Sequence, residues 1–383
     1  NNSNLFVDGR YTFQAKEQID GDFISLLHLN DFFKELNKLF DKNKCVALDP
    51  KLHSIEEVNK IIKLANKNET KLHFTNPNLI DELWTDKPER KYSAIFDHPI
   101  NFAGIDASNK IDQFIEELKN NNLDSYFLSS LDSIAWLLNL RGDDILHTPL
   151  TFAYLFISVE TKPILYLCIE KLNTDLKLRL SKFLILEPIE KIENIFNNLT
   201  KNLKIGFDYK NTSYFFYHLA INNSHTPSNL QNPCLIPKAT KNETELEGSR
   251  KAHIRDGVSI TKFLCWLKNH QSVEKENEIS VANKLLSFRE PNDFFHSISF
   301  DSISAIGKNA ALPHYRADKN NPVVLKNNCI YLSDSGGQYY DGTTDITRTI
   351  ILGEPNREQI DRFTRVLKGH INLSTYIFSK GTK

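Results

Sequence analysis

Short apolar runs alternate with amphipathic stretches as far as about residue 207, and near residue 240 that alternation stops. Residues 5–7 read as a strand entering the turn Asp8-Gly9-Arg10. Residues 32–40 are amphipathic, and residues 45–48 read as a second strand. Ser54 and Glu57 form a capping box for a helix that carries Val58, Ile61, Ile62 and Ala65 on one face. Strand and helix in alternation pack as α/β layers. Residues 84–104, with Pro88, Pro99 and Gly104, read as a linker, after which the pattern repeats. A helix at 108–120, apolar at Ile111, Phe114, Ile115 and Leu118, precedes a strand at 126–129 and an apolar helix at 134–140. Strands at 152–159 and 163–169 are adjacent and expected to pair, followed by helices at 174–183 and 189–199 and a strand at 203–207. Beyond 240, Thr244 and Glu247 read as another capping box, opening a helix to residue 268, with a second helix at 279–288. Strands at 298–306, 329–332 and 346–352 and a helix at 357–378 complete the pattern, which predicts an α+β domain. The expected division is 1–80, 81–240 and 241–383, and 383 residues suffice for three cores.

Charge narrows the function. With 47 lysines and arginines against 48 aspartates and glutamates, no broad field attracts nucleic acid or an anionic membrane. No apolar run approaches the roughly 18–20 residues of a membrane span, and the N-terminus lacks a signal-peptide pattern, so a cytoplasmic protein is expected. Five widely spaced cysteines, several in apolar runs, suit reduced, buried thiols. No glycine-rich phosphate loop occurs in the first two domains. Methionine is absent even at position 1, which suggests a chain that starts inside a longer one, with spacings short by a residue or so wherever methionines are missing.

The chemistry concentrates in YLSDSGGQYYDGTTDITRT, residues 331–349. Asp334 closes one expected strand and Asp345 opens the next. In a hairpin centred near Tyr339 and Tyr340 the two face each other, and directly opposed residues lie about 4.5–5.5 Å apart. Two carboxylates so placed repel unless divalent cations about 3.5–4 Å apart sit between them. Oxygen donors favour manganese or magnesium over a thiolate-type zinc site. The plainer alternative makes both aspartates turn caps. Asp341 reads as a turn residue, and His253 and His370 read as helix histidines without chemistry. Trp136 reads as helix core, with Arg141 beside it able to reach toward an active-site mouth.

DSGGQYYDGTTDITRT resembles the metal-binding signature of the pita-bread metallopeptidases, the Xaa-Pro aminopeptidases in particular. GKNAALPHYRA at 307–317, ATKNETELEGSRKAHIRDG at 239–257, LDSIAWLLNLRG at 131–142, ELWTDKPE at 82–89 and FVDGRY at 6–11 agree in order. The resemblance implies two creatinase-like α/β N-terminal domains, the first lacking its own N-terminal part, followed by the first half of a pita-bread α+β catalytic domain. That is the three-domain cytosolic type. Asp334 and Asp345 fall on metal ligands, and His314 falls on the histidine that lies beside the metals and contacts substrate around the scissile bond. The implied cofactor is a pair of divalent ions, manganese expected, with zinc or cobalt as alternatives. Their bridging hydroxide attacks the bond preceding proline in peptides with an Xaa-Pro N-terminus. The family's other ligands, one histidine and two glutamates, come from the second half of the domain, beyond Lys383. On this reading the chain continues past that residue, and the 383-residue piece alone is inactive. A homodimer is expected by analogy. An Xaa-Pro dipeptidase and an inactive binding module are the alternatives.

Overall fold

The apolar stripe between Val58 and Ala65 becomes the buried face of the helix Ile55–Lys67, whose start is fixed by the reciprocal Ser54–Glu57 box. The structure is a computed structural model describing residues 3–197, 199–200 and 202–382, and it divides into two compact units, Asn1–Arg250 and Lys251–Lys383.

The first unit is built on a mixed six-stranded sheet, in the order Ile185–Pro188, Ile164–Leu167, Ala153–Ser158, Ser125–Leu128, Lys204–Phe207, Thr226–Asn229. In Ser125–Leu128 the apolar run is Tyr126 to Leu128. Tyr126 and Leu128 enter one core with Phe114, Leu118 and Leu138, while Phe127 enters the opposite core with Ile55, Val58 and Phe216. Side chains alternate across a strand, so a sheet covered on both faces favours apolar residues at successive positions. The expected pairing of the strands near 152–159 and 163–169 holds, as Ala153–Ser158 antiparallel to Ile164–Leu167. Because the second core draws on residues 40–74 as well as on the sheet, the first strand–helix segment shares a core with the sheet.

Several expectations need correction. The presumed linker 84–104 contains the strand Ile95–Asp97, paired with Leu140–Gly142, so part of it is structured. The helix expected at 134–140 runs Leu131–Leu138 and ends where Asn139 adopts a left-handed φ of 52°. At 189–199 a 3-10 turn, Ile189–Asn194, replaces the helix, and residue 198 lies outside the described residues. All five cysteines are free, but only Cys234 is buried, while Cys45 and Cys265 are exposed. Among the described residues no helix is long and apolar enough to cross a membrane.

Trp136 packs against the first core and donates its indole N–H to Glu245 at 3.3 Å. Arg141 donates to the carbonyls of Ala135 and Leu140, so both residues have local structural partners. Beside them His98 keeps its Nδ1 buried without a hydrogen-bond partner. Burial first, then Arg141 and Lys110, drive the ring from its ordinary 6.5 to about 3. The folded form therefore refuses a proton that the unfolded chain accepts below pH 6.5. Stability is full above that pH and declines toward pH 3, at up to about 1.4 kcal/mol per pH unit. His98→Gln is expected to flatten this slope, so that the urea-unfolding free energy lost between pH 6.5 and 4.5 shrinks by about 2 kcal/mol. An unchanged slope would mean that the folded protein protonates His98 freely.

The long helix is Glu243–Lys268, of which the residues from Lys251 onward belong to the second unit, and its capping pair is Asn242 with Glu245, two residues earlier than expected. It packs with the helix Glu278–Arg289 on a core around Phe263, Leu285, Leu325 and Tyr331. The strand expected at 298–306 is two strands in two sheets. Phe295–Ile298 joins Gly337–Tyr339 and Gly342–Thr343, whereas Ile303–Ile306 joins Cys329–Ser335 and Ile346–Leu352. The last helix ends at Thr375 and keeps Ile360, Phe363, Leu367 and Ile371 exposed.

Candidate metal centre

Strand Cys329–Ser335 buries Tyr331, Ser333 and Ser335 on one side, which turns Asp334 to the other. It pairs with Ile346–Leu352 so that Asp334 lies opposite Thr347 and Ser335 opposite Ile346. Beyond Ser335 the chain crosses into the neighbouring sheet, where Gln338 pairs with Thr343 and Tyr339 with Gly342. One register runs through both sheets, and the turn falls on Tyr340 and Asp341. The expectation of directly opposed aspartates was therefore wrong. A turn one residue further along moves every partner by two, and Asp345 falls opposite Gly336, diagonal to Asp334 on the same face. A diagonal pair is still within reach for side chains, and Asp334 is near enough to push the Asp345 carboxyl above its ordinary range.

Glycine at 336 lets the two strands close up between these acids. A Cβ there would overlap the Thr344 carbonyl and the Ser299 hydroxyl, which are themselves hydrogen-bonded at 2.9 Å. The Gly337 N–H donates to Thr344 Oγ1 at 2.9 Å, pinning the crossing.

The electrostatics of the pair are unfavourable as they stand. Asp334 Oδ1 is buried with no hydrogen-bond partner, a state native proteins rarely leave uncompensated. Asp345 as a residue is open to solvent, yet its carboxyl is pushed above the usual range, by partial burial first and then by Asp334. An orphaned acceptor beside a crowded like charge is what a hard, oxygen-seeking cation would relieve, so the donor set fits divalent metal. Among the described residues no group of three or more His, Cys, Asp or Glu side chains forms a metal cluster.

His314 is therefore not a third donor to the pair. It is exposed, in a turn rather than on a strand, with a left-handed φ of 56°. Asp341 is occupied by an ion pair with Arg255, whose guanidinium lies 5.3 Å from the centre of the Tyr339 ring. His253 and His370 are exposed on their helices. Sequence reasoning missed the neighbouring Asp256, which is wholly buried and bonds both Nε (2.7 Å) and Nη2 (3.0 Å) of the buried Arg289. The Tyr339 hydroxyl donates to the same carboxylate at 2.9 Å. The only sequence signal was an Arg-Asp doublet in the stretch HIRDG.

Residues 86–245 match the creatinase/prolidase N-terminal domain, and residues 247–383 match metallopeptidase family M24. The M24 match takes in Asp334, in the strand Cys329–Ser335, and Asp345, directly before the strand Ile346–Leu352. Across 99% of its length it is 34% identical to a probable Xaa-Pro aminopeptidase P of Paracoccidioides brasiliensis and 36% identical to one of Talaromyces marneffei. It covers 64% and 60% of those proteins, so the chain spans about three fifths of the length of the curated relatives it matches. Among solved structures it is similar to the X-prolyl aminopeptidase of Caenorhabditis elegans, described as a cytosolic enzyme with a di-nuclear active site. The TM-score is 0.89 at 30% identity, over 99% of this chain and 63% of that one. The prolidase of Pyrococcus horikoshii shares the fold, with a TM-score of 0.53 at 21% identity over 69% of this chain and 71% of that one. The expected architecture of creatinase-like α/β layers followed by pita-bread α+β structure in the M24 domain holds.

Proposed function

We propose that the protein carrying this chain is a metallo-aminopeptidase that releases the N-terminal residue from peptides with proline in second place. The observation that carries the reading is the crowded Asp334–Asp345 pair, with its orphaned Oδ1, inside an M24 domain. Similarity to Xaa-Pro aminopeptidases across 99% of this chain supports the substrate class. When bound, two divalent ions, manganese on this proposal, lower the pKa of water and polarise a carbonyl. Asp334 and Asp345 would hold them, while His314, on its exposed turn, would contact the substrate around the scissile bond. Two carboxylates do not complete two coordination spheres, so the reading requires further donors from outside the described residues. Proline in second place presents a tertiary amide with no N–H and a fixed φ, a shape that a pocket can select. The division into 1–80, 81–240 and 241–383, a homodimer and a cytoplasmic location belong to the same proposal. The cytosolic description of the nematode enzyme supports the location.

Comparing a tripeptide Xaa-Pro-Xaa with a dipeptide Xaa-Pro, on the manganese-loaded protein that carries this chain, tests the reading. Release of the first residue from the tripeptide is expected. Cleavage of the dipeptide alone would make the protein a dipeptidase, and cleavage of neither would make it a binding module.

A further inference from the structure

The stretch GKNAALPHY contributes His314 to the proposed site, but the function leaves Asn309 and Tyr315 without a task. Both converge on one buried carboxylate. Glu278, the first residue of the helix Glu278–Arg289, is fully buried, and among the described residues no cation pairs with it. Its Oε1 accepts from the Ile306 N–H at 2.8 Å and from Asn309 Nδ2 at 3.1 Å. Its Oε2 accepts from the Tyr315 hydroxyl at 2.8 Å, and Asn309 Nδ2 also reaches that hydroxyl at 2.8 Å. The position suits a carboxylate, because the free N–H groups and dipole of a helix N-terminus favour negative charge.

These bonds staple one loop at three points: the end of the strand Ile303–Ile306, the 3-10 turn Gly307–Ala311, and the residue directly after His314. The loop carries left-handed residues near both ends, Gly307 at φ 59° and His314 at φ 56°. The left-handed region is unfavourable for a non-glycine residue and persists where its surroundings over-determine it. Hydrogen bonds to an ionised acceptor in a dry interior are among the stronger ones available for that purpose.

We propose that Glu278 is a positioning residue that sets the His314 imidazole by holding Tyr315 and Asn309 beneath the turn. The proposal rests on the reading of His314 as a substrate-contacting group. Glu278 itself touches neither substrate nor metal.

The test uses the manganese-loaded protein that carries this chain and an Xaa-Pro-Xaa tripeptide, with Glu278→Gln, Tyr315→Phe and His314→Ala alone and in pairs. Misplacing a reacting group by about an ångström can cost 10²-fold, so Glu278→Gln and Tyr315→Phe are each expected to lower kcat about 10- to 100-fold, with KM within about twofold. Manganese affinity should stay unchanged. The deciding quantity is coupling: in the His314→Ala background, Glu278→Gln and Tyr315→Phe should have no further effect on kcat. Full additivity of both with an impaired His314→Ala would overturn the positioning role while leaving His314 in place. A fully active His314→Ala would overturn the reading of His314, and this proposal with it. If Glu278→Gln fails to fold, Tyr315→Phe, which removes one hydroxyl, carries the same cycle.

Discussion

Replacing Asp334 or Asp345 by asparagine is expected to lower kcat/KM for an Xaa-Pro-Xaa tripeptide by about 10³-fold or more, in excess manganese and with the fold intact. The amide keeps the carboxylate's shape and removes the charge that a divalent ion requires. A second consequence separates metal ligation from a structural role. Because Asp345 is pushed above the usual carboxylate range by partial burial and by Asp334, Asp345→Asn removes a repulsion and should raise the melting temperature of the metal-free protein. A turn-capping aspartate would behave oppositely and lose stability when replaced. Activity retained above about a tenth in both variants would remove the pair from the chemistry, since a tenfold effect is only about 1.4 kcal/mol.

Asp256→Ala is expected to destabilise the second unit by about 3–5 kcal/mol, because it leaves the guanidinium of Arg289 buried and unpaired. Neither side chain has an alternative in water: they are 0% and 1% exposed. The loss also removes the carboxylate to which the Tyr339 hydroxyl donates, one residue before the turn. Urea denaturation followed by tryptophan fluorescence measures it, and the double variant Asp256→Leu with Arg289→Met should recover most of the loss, since a well-packed apolar pair replaces a buried ion pair at little cost. A loss below about 1 kcal/mol, the range of exposed pairs, would contradict the burial. Asp256 and Arg255 hold Tyr339 and Asp341, at and beside the turn whose position decides which residues face Asp334. Stability and site geometry are thereby coupled.

How much of this was legible beforehand follows from the range of each interaction. Tyr126 to Leu128 and the neighbouring strands were readable because two-sided burial writes short apolar runs into the sequence. The Ser54 box was readable because both partners lie three residues apart. At the long helix, Asn242–Glu245 and Thr244–Glu247 fit the same capping pattern, and only the folded chain selects the first. The convergence of Asp334 and Asp345 could be inferred from two strand ends flanking glycines. Its register could not, because Tyr339–Tyr340 and Tyr340–Asp341 were both plausible centres. The strand near 298–306 looked continuous because nothing in its composition marks the passage from one sheet to the other. Asp256–Arg289 and Glu278–Tyr315 were invisible for another reason. Each joins residues more than thirty positions apart, and in sequence a buried charge is indistinguishable from a solvated one.

The most direct measurement is anomalous diffraction at the manganese absorption edge from crystals of the protein equilibrated with manganese. A peak about 2.0–2.4 Å from carboxylate oxygens of both Asp334 and Asp345 is the expected result. No peak at the pair at saturating manganese, with the two carboxylates turned away from each other, would contradict a shared cation site.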